Sequence, residues 1–256
     1  MKRILFGLIT LLMVAGCGKP TIDRSRALIV IDAGHGGHDC GAQCGGRQEK
    51  DAVLQIVKKV KTVLKDEGYR VYLTRGSDRF LTLGERTRIA DKLDADVFVS
   101  IHANAIANRS RFEVVEGIET YFLQKTRDAR SQRIATRENA AVLQGADALS
   151  KNVIIDSVLN GPKIIESNKL ALDVQRNMMQ EVRRSYPGVK SGGARPAPFY
   201  VLVGASRPSI LVETGYITNT KDREKLFNPT YQTGIAKGIV KGVNNYLDNR
   251  KREMGF

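Results

Sequence analysis

Two histidines and two glutamates are the residues whose types and positions could support hydrolytic metal chemistry. His35, His102 and Glu213 each follow an apolar run that predicts a buried strand, and Glu49 begins a predicted helix. Because the carboxyl ends of parallel strands share one edge of a sheet, these side chains can converge despite their separation in sequence. Two imidazoles and a carboxylate leave the fourth position of a zinc ion open, as hydrolytic sites require. A second carboxylate could take a proton from water and pass it to a leaving amine.

A glycine-rich turn presents the first of these histidines. The stretch from Ile29 to Arg47 begins as a strand and continues into this turn, which contains His35. The glycines allow positive φ angles and close approach of the backbone, and their spacing matches neither a P-loop nor a dinucleotide-binding loop. Asp32 ends the predicted strand and can lie near His35 across the turn. We therefore expect the Asp32 carboxylate to orient the imidazole.

Two cysteines suggest another interpretation of the same turn. Cys40 and Cys44, with His35 and His38, form the pattern H-x2-H-x-C-x3-C, which could hold a structural zinc ion and remove His35 from the catalytic site. Structural zinc sites usually combine ligand pairs separated by more of the chain, and thiols of exported proteins tend to oxidise. We predict a Cys40–Cys44 disulfide, with free thiols and the structural zinc site as alternatives.

The amino-terminal segment is typical of an export signal. Two basic residues precede an apolar run over residues 4–14, which is too short to span a bilayer core of about 30 Å. The small residues before Cys17 resemble a bacterial lipoprotein signal, in which the cysteine is acylated. We predict a signal peptide over residues 1–16, a tether over 17–26 and periplasmic anchoring through Cys17, with the outer membrane favoured by Gly18. An ordinary signal peptide is the alternative.

The net charge of the chain limits the kinds of partner that it is expected to bind. The 256-residue chain has a formal net charge of +14, which suits an anionic polymer or lipid headgroups. Export argues against nucleic acid, and no helix-turn-helix or aromatic RNA-binding signature occurs. We therefore predict a wall or membrane partner and no nucleic acid.

Strands alternate with helices along the chain. The predicted strands cover residues 27–32, 69–74, 96–101, 117–123, 199–203 and 209–212. The predicted helices cover residues 48–67, 82–93, 133–149, 166–186, 219–227 and 231–247. Glycines and prolines between the last long helix of the middle region and residue 199 predict a loop. This order indicates a single α/β domain with a mostly parallel, twisted sheet and helices on both faces.

Four segments carry a resemblance to a known family. IVIDAGHGG, EKDAVLQI, VFVSIHANA and PSILVETGYITN resemble the zinc-dependent N-acetylmuramoyl-L-alanine amidases of the AmiA/AmiB/AmiC type, in the family's order. The resemblance implies one zinc ion on His35, Glu49 and His102, Glu213 as the catalytic base, and an open six-stranded sheet. It implies a catalytic domain over residues 27–250, followed by a tail over 251–256. The family usually has proline where this chain has Cys40.

The same resemblance implies the reaction. The amidases cleave the amide between the lactyl group of N-acetylmuramic acid and L-alanine of the stem peptide, in cell-wall remodelling or division. The substrate would be peptidoglycan or a lipid-linked muropeptide precursor. A zinc peptidase or carboxypeptidase acting on the stem peptide, and an inactive wall-binding lipoprotein, remain alternatives.

A polar, helical insertion over about residues 127–165 suggests regulation. In cell-division members of the family, an extra helix here blocks the site until a partner withdraws it, and such a helix can add a carboxylate to the zinc. Glu138 is the candidate for that carboxylate, and an activator protein is the implied partner. The alternative is a helix that simply covers the sheet. Asn104 and Arg195 are further candidates to line the groove.

Overall fold

The computed structural model describes residues 25, 27–140 and 161–255. The predicted signal peptide, Cys17 and part of the helical insertion lie outside the described residues. Among the residues that are described, no helix combines the length and the apolar character needed to cross a membrane.

A six-stranded sheet forms the centre of the domain. Its strands are β1 (Leu28–Ala33), β4 (Arg70–Leu73), β5 (Val97–Asn104), β6 (Ile118–Leu123), β7 (Ser191–Ala197) and β8 (Ser209–Tyr216). A two-stranded hairpin adds β2 (Gln43–Cys44) and β3 (Arg47–Gln48). The strand order in the sheet is β4-β1-β5-β8-β6-β7. β4, β1, β5 and β8 run parallel, β6 is antiparallel to β8, and β7 is parallel to β6. The predicted mostly parallel, six-stranded sheet is confirmed.

Helices cover both faces of the sheet. They are α1 (Glu49–Asp66), α2 (Leu83–Lys92), α3 (Ala129–Asn139), α4 (Pro162–Arg183), α5 (Tyr200–Val203), α6 (Thr220–Leu226) and α7 (Pro229–Glu253). Apolar side chains of α1, α4 and α7 share one buried cluster with the sheet, and those of α2, α3 and α5 share a second. The sheet therefore has a core on each face.

Successive side chains along a strand point to opposite faces of the sheet, so the buried side chains are divided between these two cores. In β1, Ile29 and Ile31 belong to the cluster under α1, whereas Val30 belongs to the cluster under α2. In β5, Val99 faces the first cluster and Phe98 the second. Fully burying one such side chain contributes about 1.5–3 kcal/mol. The second face is also the one on which Asp32 and His102 lie, because side chains two residues apart share a face.

One predicted strand is wrong. The segment 199–203 forms the short helix α5, while the sixth strand is β7, in the region predicted to be a loop. A short apolar run such as this one does not distinguish a strand from a buried helix. β7 lies at the edge of the sheet, where Pro196 can be accommodated. Gly192 is required there, because a Cβ atom would lie 2.2 Å from the Glu119 side chain.

Two strands extend further than predicted. β5 continues to Asn104 and β8 to Tyr216, so His102 and Glu213 lie within strands rather than after them. The last helix, α7, continues to Glu253 and includes residues that we assigned to the tail. The sheet therefore holds both candidate side chains more rigidly than a loop would.

Two glycines bring α7 into backbone contact with α4. A Cβ atom at Gly238 would lie 2.3 Å from Met178 Cα, and one at Gly242 would lie 2.4 Å from Val174 Cα. Backbone atoms in a helix cannot move aside as a flexible side chain can. The two helices therefore pack this closely only because these positions lack side chains.

We expect Gly242→Ala to lower the free energy of unfolding by about 1–3 kcal/mol, the usual cost of overpacking. Gly84→Ala in α2 is the matched control, because no atom lies within 4 Å of the Cβ position there. Alanine is favoured over glycine in a helix by about 0.5–1 kcal/mol, so the control should be neutral or stabilising. Urea unfolding followed by circular dichroism measures both, and an equal stabilisation of the two variants would contradict the close packing.

Candidate metal centre

The turn after β1 holds His35 in an uncommon backbone conformation. His35 has a φ angle of 58°, in the left-handed region, which costs a residue with a side chain on the order of 1–3 kcal/mol. Two buried arginines fix the turn: Arg86 Nη2 donates to the His35 carbonyl oxygen at 2.8 Å, and Arg75 Nη2 donates to that of Gly34 at 2.7 Å. Gly34 allows the turn to pass against the ring of His102, since a Cβ atom would lie 2.4 Å from it.

The side chain that orients His35 is Asp39, not Asp32. Asp39 Oδ2 lies 2.9 Å from His35 Nδ1, which leaves Nε2 free to face the interior. The expectation that Asp32 plays this role is wrong, because its carboxylate is fully buried beneath the turn, where Arg86 Nη1 donates to it at 3.0 Å and Ser100 Oγ at 2.7 Å. Burial opposes ionisation of Asp32, but Arg86 holds its pKa below the ordinary value.

Four side chains converge at the carboxyl edge of the parallel strands. One ligand atom from each of His35, Glu49, His102 and Glu138 lies within 4.8 Å of the others. His35 Nε2 lies 3.1 Å from Glu49 Oε1 and 3.2 Å from Glu138 Oε2. His102 Nδ1 lies 3.1 Å from each of the same two oxygens. The structure therefore brings together the predicted ligands and the predicted additional carboxylate.

These residues fit a bound metal ion. His35 Nε2 and Glu138 Oε2 are buried 3.2 Å apart but make no hydrogen bond of good geometry among the described residues, which is costly unless another group satisfies them. Burial lowers the pKa of His102, but Glu138 and Glu49 raise it to about 9. The carboxylates thus favour positive charge at the centre. Imidazole and carboxylate ligands together suit a divalent transition metal.

Backbone groups hold the Glu49 carboxylate in place. Its Oε1 accepts a hydrogen bond from the amide of Ala103 at 2.9 Å, and its Oε2 accepts one from Ala42 at 2.9 Å. Burial would raise the pKa of Glu49, but the positive charge of His35 leads the interactions that lower it to about 2. Glu49 is the first residue of α1 and is fully buried, so its position is set by both the helix and the sheet.

The two cysteines take no part in this cluster. Among the described residues, the group that could hold a metal includes neither Cys40 nor Cys44. Both are free cysteines, so the predicted disulfide is not formed in the structure. Cys44 lies in the hairpin with its Sγ 3.4 Å from Arg223 Nη1, whereas Cys40 Sγ is 4.0 Å from the His38 carbonyl oxygen. The thiols therefore have separate neighbours.

Glu213 lies beside the cluster in the same row of the sheet. It is in register with His102 on β5 and with Glu119 on β6. Glu213 is fully buried, and neither of its carboxylate oxygens has a hydrogen-bond partner among the described residues. Burial first, and then the negative charge of Glu138, raise its pKa well above the ordinary value. An ionisable group perturbed in this way is characteristic of a catalytic acid or base.

Helix α3 covers this row of side chains. Asp128 caps its amino terminus by accepting hydrogen bonds from the amides of Arg130 and Ser131. Near the other end, Glu138 reaches the histidines, and Arg137 Nη2 lies 3.8 Å from Glu213 Oε1. A cavity of about 400 Å³ remains beside the cluster, lined in part by His38, Phe80 and Glu138. The helix thus occupies space next to the cluster that could hold a metal ion.

Sequence reasoning missed Asp39 and Glu119. Glu119 is fully buried, although it lies in the apolar strand IETYFL, and a lone carboxylate in such a strand is the signal that could have identified it. Asn104 donates to Glu119 Oε2 at 3.2 Å, so it supports this carboxylate. Arg195 donates to the carbonyl oxygen of Gly192 at 2.6 Å and lies 3.4 Å from Asp128.

We expect Asp39→Ala to weaken metal binding by about 10-fold to 100-fold, because it removes the hydrogen bond that orients His35. Titration with Zn²⁺ against a competing chelator measures the affinity. Asp66→Asn, an exposed carboxylate at the end of α1, is the control and should bind as the wild type does. Unchanged affinity in Asp39→Ala would show that the turn alone fixes the imidazole.

Comparisons with known proteins identify the family of the chain. A family model described as N-acetylmuramoyl-L-alanine amidase matches residues 29–245. The chain is 33% identical over 245 residues to N-acetylmuramoyl-L-alanine amidase AmiA of Escherichia coli K12, covering 92% of this chain and 83% of the relative. The solved structure of the amidase AmiC2 of Nostoc punctiforme is 34% identical, with a TM-score of 0.61, covering 86% of this chain and 97% of that one.

A further solved structure is the CwlD amidase from Clostridioides difficile in complex with the GerS lipoprotein. It is 26% identical to this chain, with a TM-score of 0.64, and the match covers 86% of this chain and 98% of that one. Taken with the family model, which matches most of the chain, these likenesses settle its relationship. The chain belongs to the N-acetylmuramoyl-L-alanine amidase family.

Proposed function

We propose that His35, Glu49 and His102 hold a zinc ion and that Glu213 is the base for amide hydrolysis. Because the chain belongs to this family, it is a peptidoglycan amidase. The bond that it cleaves joins N-acetylmuramic acid and L-alanine. The observation that supports these roles is the buried Glu213 carboxylate, which is in register with His102 and has no hydrogen-bond partner among the described residues. Glu213 thus lies beside His102, close enough for its charge to interact with those of Glu138, His102 and Glu49.

The proposed metal ligands and the proposed base have separate roles in the reaction. A bound zinc ion would polarise the scissile carbonyl and lower the pKa of water. Glu213 accepts a proton from the attacking water and donates it to the leaving nitrogen of L-alanine as the carbon–nitrogen bond breaks. Burial and the negative charge of Glu138 raise its pKa above the ordinary value, which makes the carboxylate a stronger base. Asp39 holds the His35 ring so that Nε2 faces the centre.

We expect Glu213→Gln to lower kcat by about 10²-fold to 10⁴-fold, the usual contribution of a general base, and to leave the zinc content unchanged. Mass spectrometry of products released from purified peptidoglycan measures the reaction, and metal analysis measures the zinc. Glu224→Gln, an exposed residue of α6, is the control. Full hydrolysis by Glu213→Gln would refute its role as the base.

The products also separate the amidase from the alternative peptidase. An amidase releases stem peptides with a free amino group on L-alanine. A peptidase or carboxypeptidase would leave L-alanine attached to muramic acid and would shorten the peptide elsewhere.

We also propose that α3 inhibits the enzyme. Glu138 occupies the side of the cluster from which a substrate carbonyl would approach, within 3.2 Å of both histidines. Burial opposes its charge, but Arg137 and His102 lower its pKa well below the ordinary value, so it competes as an anion. A partner that withdraws α3 would activate the enzyme. The complex of the CwlD amidase with the GerS lipoprotein supports a protein partner.

Removing the inhibitory carboxylate should activate the enzyme. We expect Glu138→Ala to raise the rate of peptide release by about fivefold or more, within the usual range of coupling energies. Thr136→Ala, at an exposed position of the same helix, is the matched control and should behave as the wild type. A rate that stays the same or falls in Glu138→Ala would indicate that α3 only covers the sheet.

The proposed location is the periplasm, with a lipid on Cys17 as the membrane anchor. The basic residues, short apolar run and small residues before Cys17 support this proposal. An anchored enzyme would act on the wall layer within reach of its tether.

A further inference from the structure

We propose that Glu119 recognises the cationic amine on the third residue of the stem peptide, and that Arg130 of α3 occupies this site in the structure. The inference rests on the proposed amidase function and adds to it a substrate-recognition residue. Its basis is a fully buried carboxylate whose two oxygens have different kinds of partner.

The sheet holds one oxygen of Glu119. Oε2 accepts hydrogen bonds from Tyr121 Oη at 2.8 Å, Tyr216 Oη at 2.9 Å and Asn104 Nδ2 at 3.2 Å. These donors lie on β6, β8 and β5. Gly192 on β7 leaves room for the side chain, since a Cβ atom would lie 2.2 Å from Glu119 Oε1. Four strands thus build the pocket around this carboxylate.

The other oxygen has only a cation from α3. Glu119 Oε1 lies 2.5 Å from Arg130 Nη2 and has no hydrogen bond of good geometry among the described residues. Arg130 is about one-third exposed, whereas Glu119 is fully buried. A cavity of about 580 Å³ adjoins the pair, lined in part by Arg130, Tyr216 and Ile106. Arg130 and Tyr216 therefore lie between the carboxylate and a space large enough for part of a ligand.

Withdrawal of α3 would expose this oxygen at the moment when substrate binds. The same helix carries Glu138, so a substrate carbonyl reaches the metal ligands only when α3 moves away. Arg130 would leave with it, and a buried carboxylate that loses its cation is strongly destabilised. A cationic group of the substrate would restore the pairing. Arg130 thus takes the place of a substrate cation.

The distance fits the stem peptide. Glu119 is two strands from His102, with Glu213 between them, which corresponds to about 10 Å at the usual spacing of strands. Two residues of extended chain reach about 7 Å beyond the scissile amide, and the side chain of the third residue covers the rest. That residue carries a primary amine when it is lysine or a diamino acid. The amine can therefore meet Glu119 while the scissile amide lies at the metal ligands.

Paired substrates test the proposal. We would measure kcat/KM for muropeptides whose third residue carries a free amine and for the same muropeptides with that amine acetylated, using the wild type and Glu138→Ala. We expect the free amine to be preferred by about 10-fold to 100-fold, as for a hydrogen bond to a charged group. The preference should lie mainly in KM, because the amine is remote from the reacting atoms.

Glu119→Gln should abolish the preference by raising KM for the free-amine substrate alone, while Glu113→Gln, an exposed neighbour, should retain it. The comparison in the wild type and in Glu138→Ala requires no change at Glu119, so the proposal stays testable if Glu119→Gln does not fold. Equal hydrolysis of both substrates would overturn the amine site and leave the amidase function intact. Hydrolysis of neither substrate by either protein would contradict the amidase function and the amine site together.

Discussion

The buried cluster at the carboxyl edge of the parallel strands requires a cation. Glu49 and Glu138 place two buried carboxylates within 3.2 Å of two imidazoles, and buried charge is tolerated only when it is paired. The carboxylates raise the pKa of both His35 and His102, so positive charge collects there as protons or as a metal ion. The turn after β1 and the first residue of α1 are arranged to satisfy this requirement.

The parallel part of the sheet brings residues that are far apart in sequence into one site. His102 and Glu213 are neighbours because β5 and β8 pair in register, and Glu119 joins the row across the antiparallel β6. Helix α3 then lies over the row and matches it in charge, with Arg130 against Glu119 and Glu138 against the histidines. The charges along this row are therefore matched by the protein's own helix, and this match is the physical basis of the proposed self-inhibition.

The sequence predicted the parts of this arrangement that depend on periodicity and strand ends. Apolar runs before His102 and Glu213 predicted the buried strands. Because parallel strands end at the same edge of a sheet, the two side chains were expected to lie close together. Asp39 was missed because its contact with His35 depends on the positive φ angle within the turn, which no pattern of residue types specifies. The β7 strand was missed because an edge strand tolerates glycine and proline, and Glu119 because its partners come from three other elements.

The most direct test of the central claim is the position of the metal. Anomalous X-ray scattering from crystals of the full chain loaded with Zn²⁺ locates the ion without reference to activity. The account predicts one peak within ligand distance, about 2.0–2.2 Å, of His35 Nε2, His102 Nδ1 and the Glu49 carboxylate. A peak at the Cys40 and Cys44 thiols, or an empty cluster at saturating Zn²⁺, would contradict it.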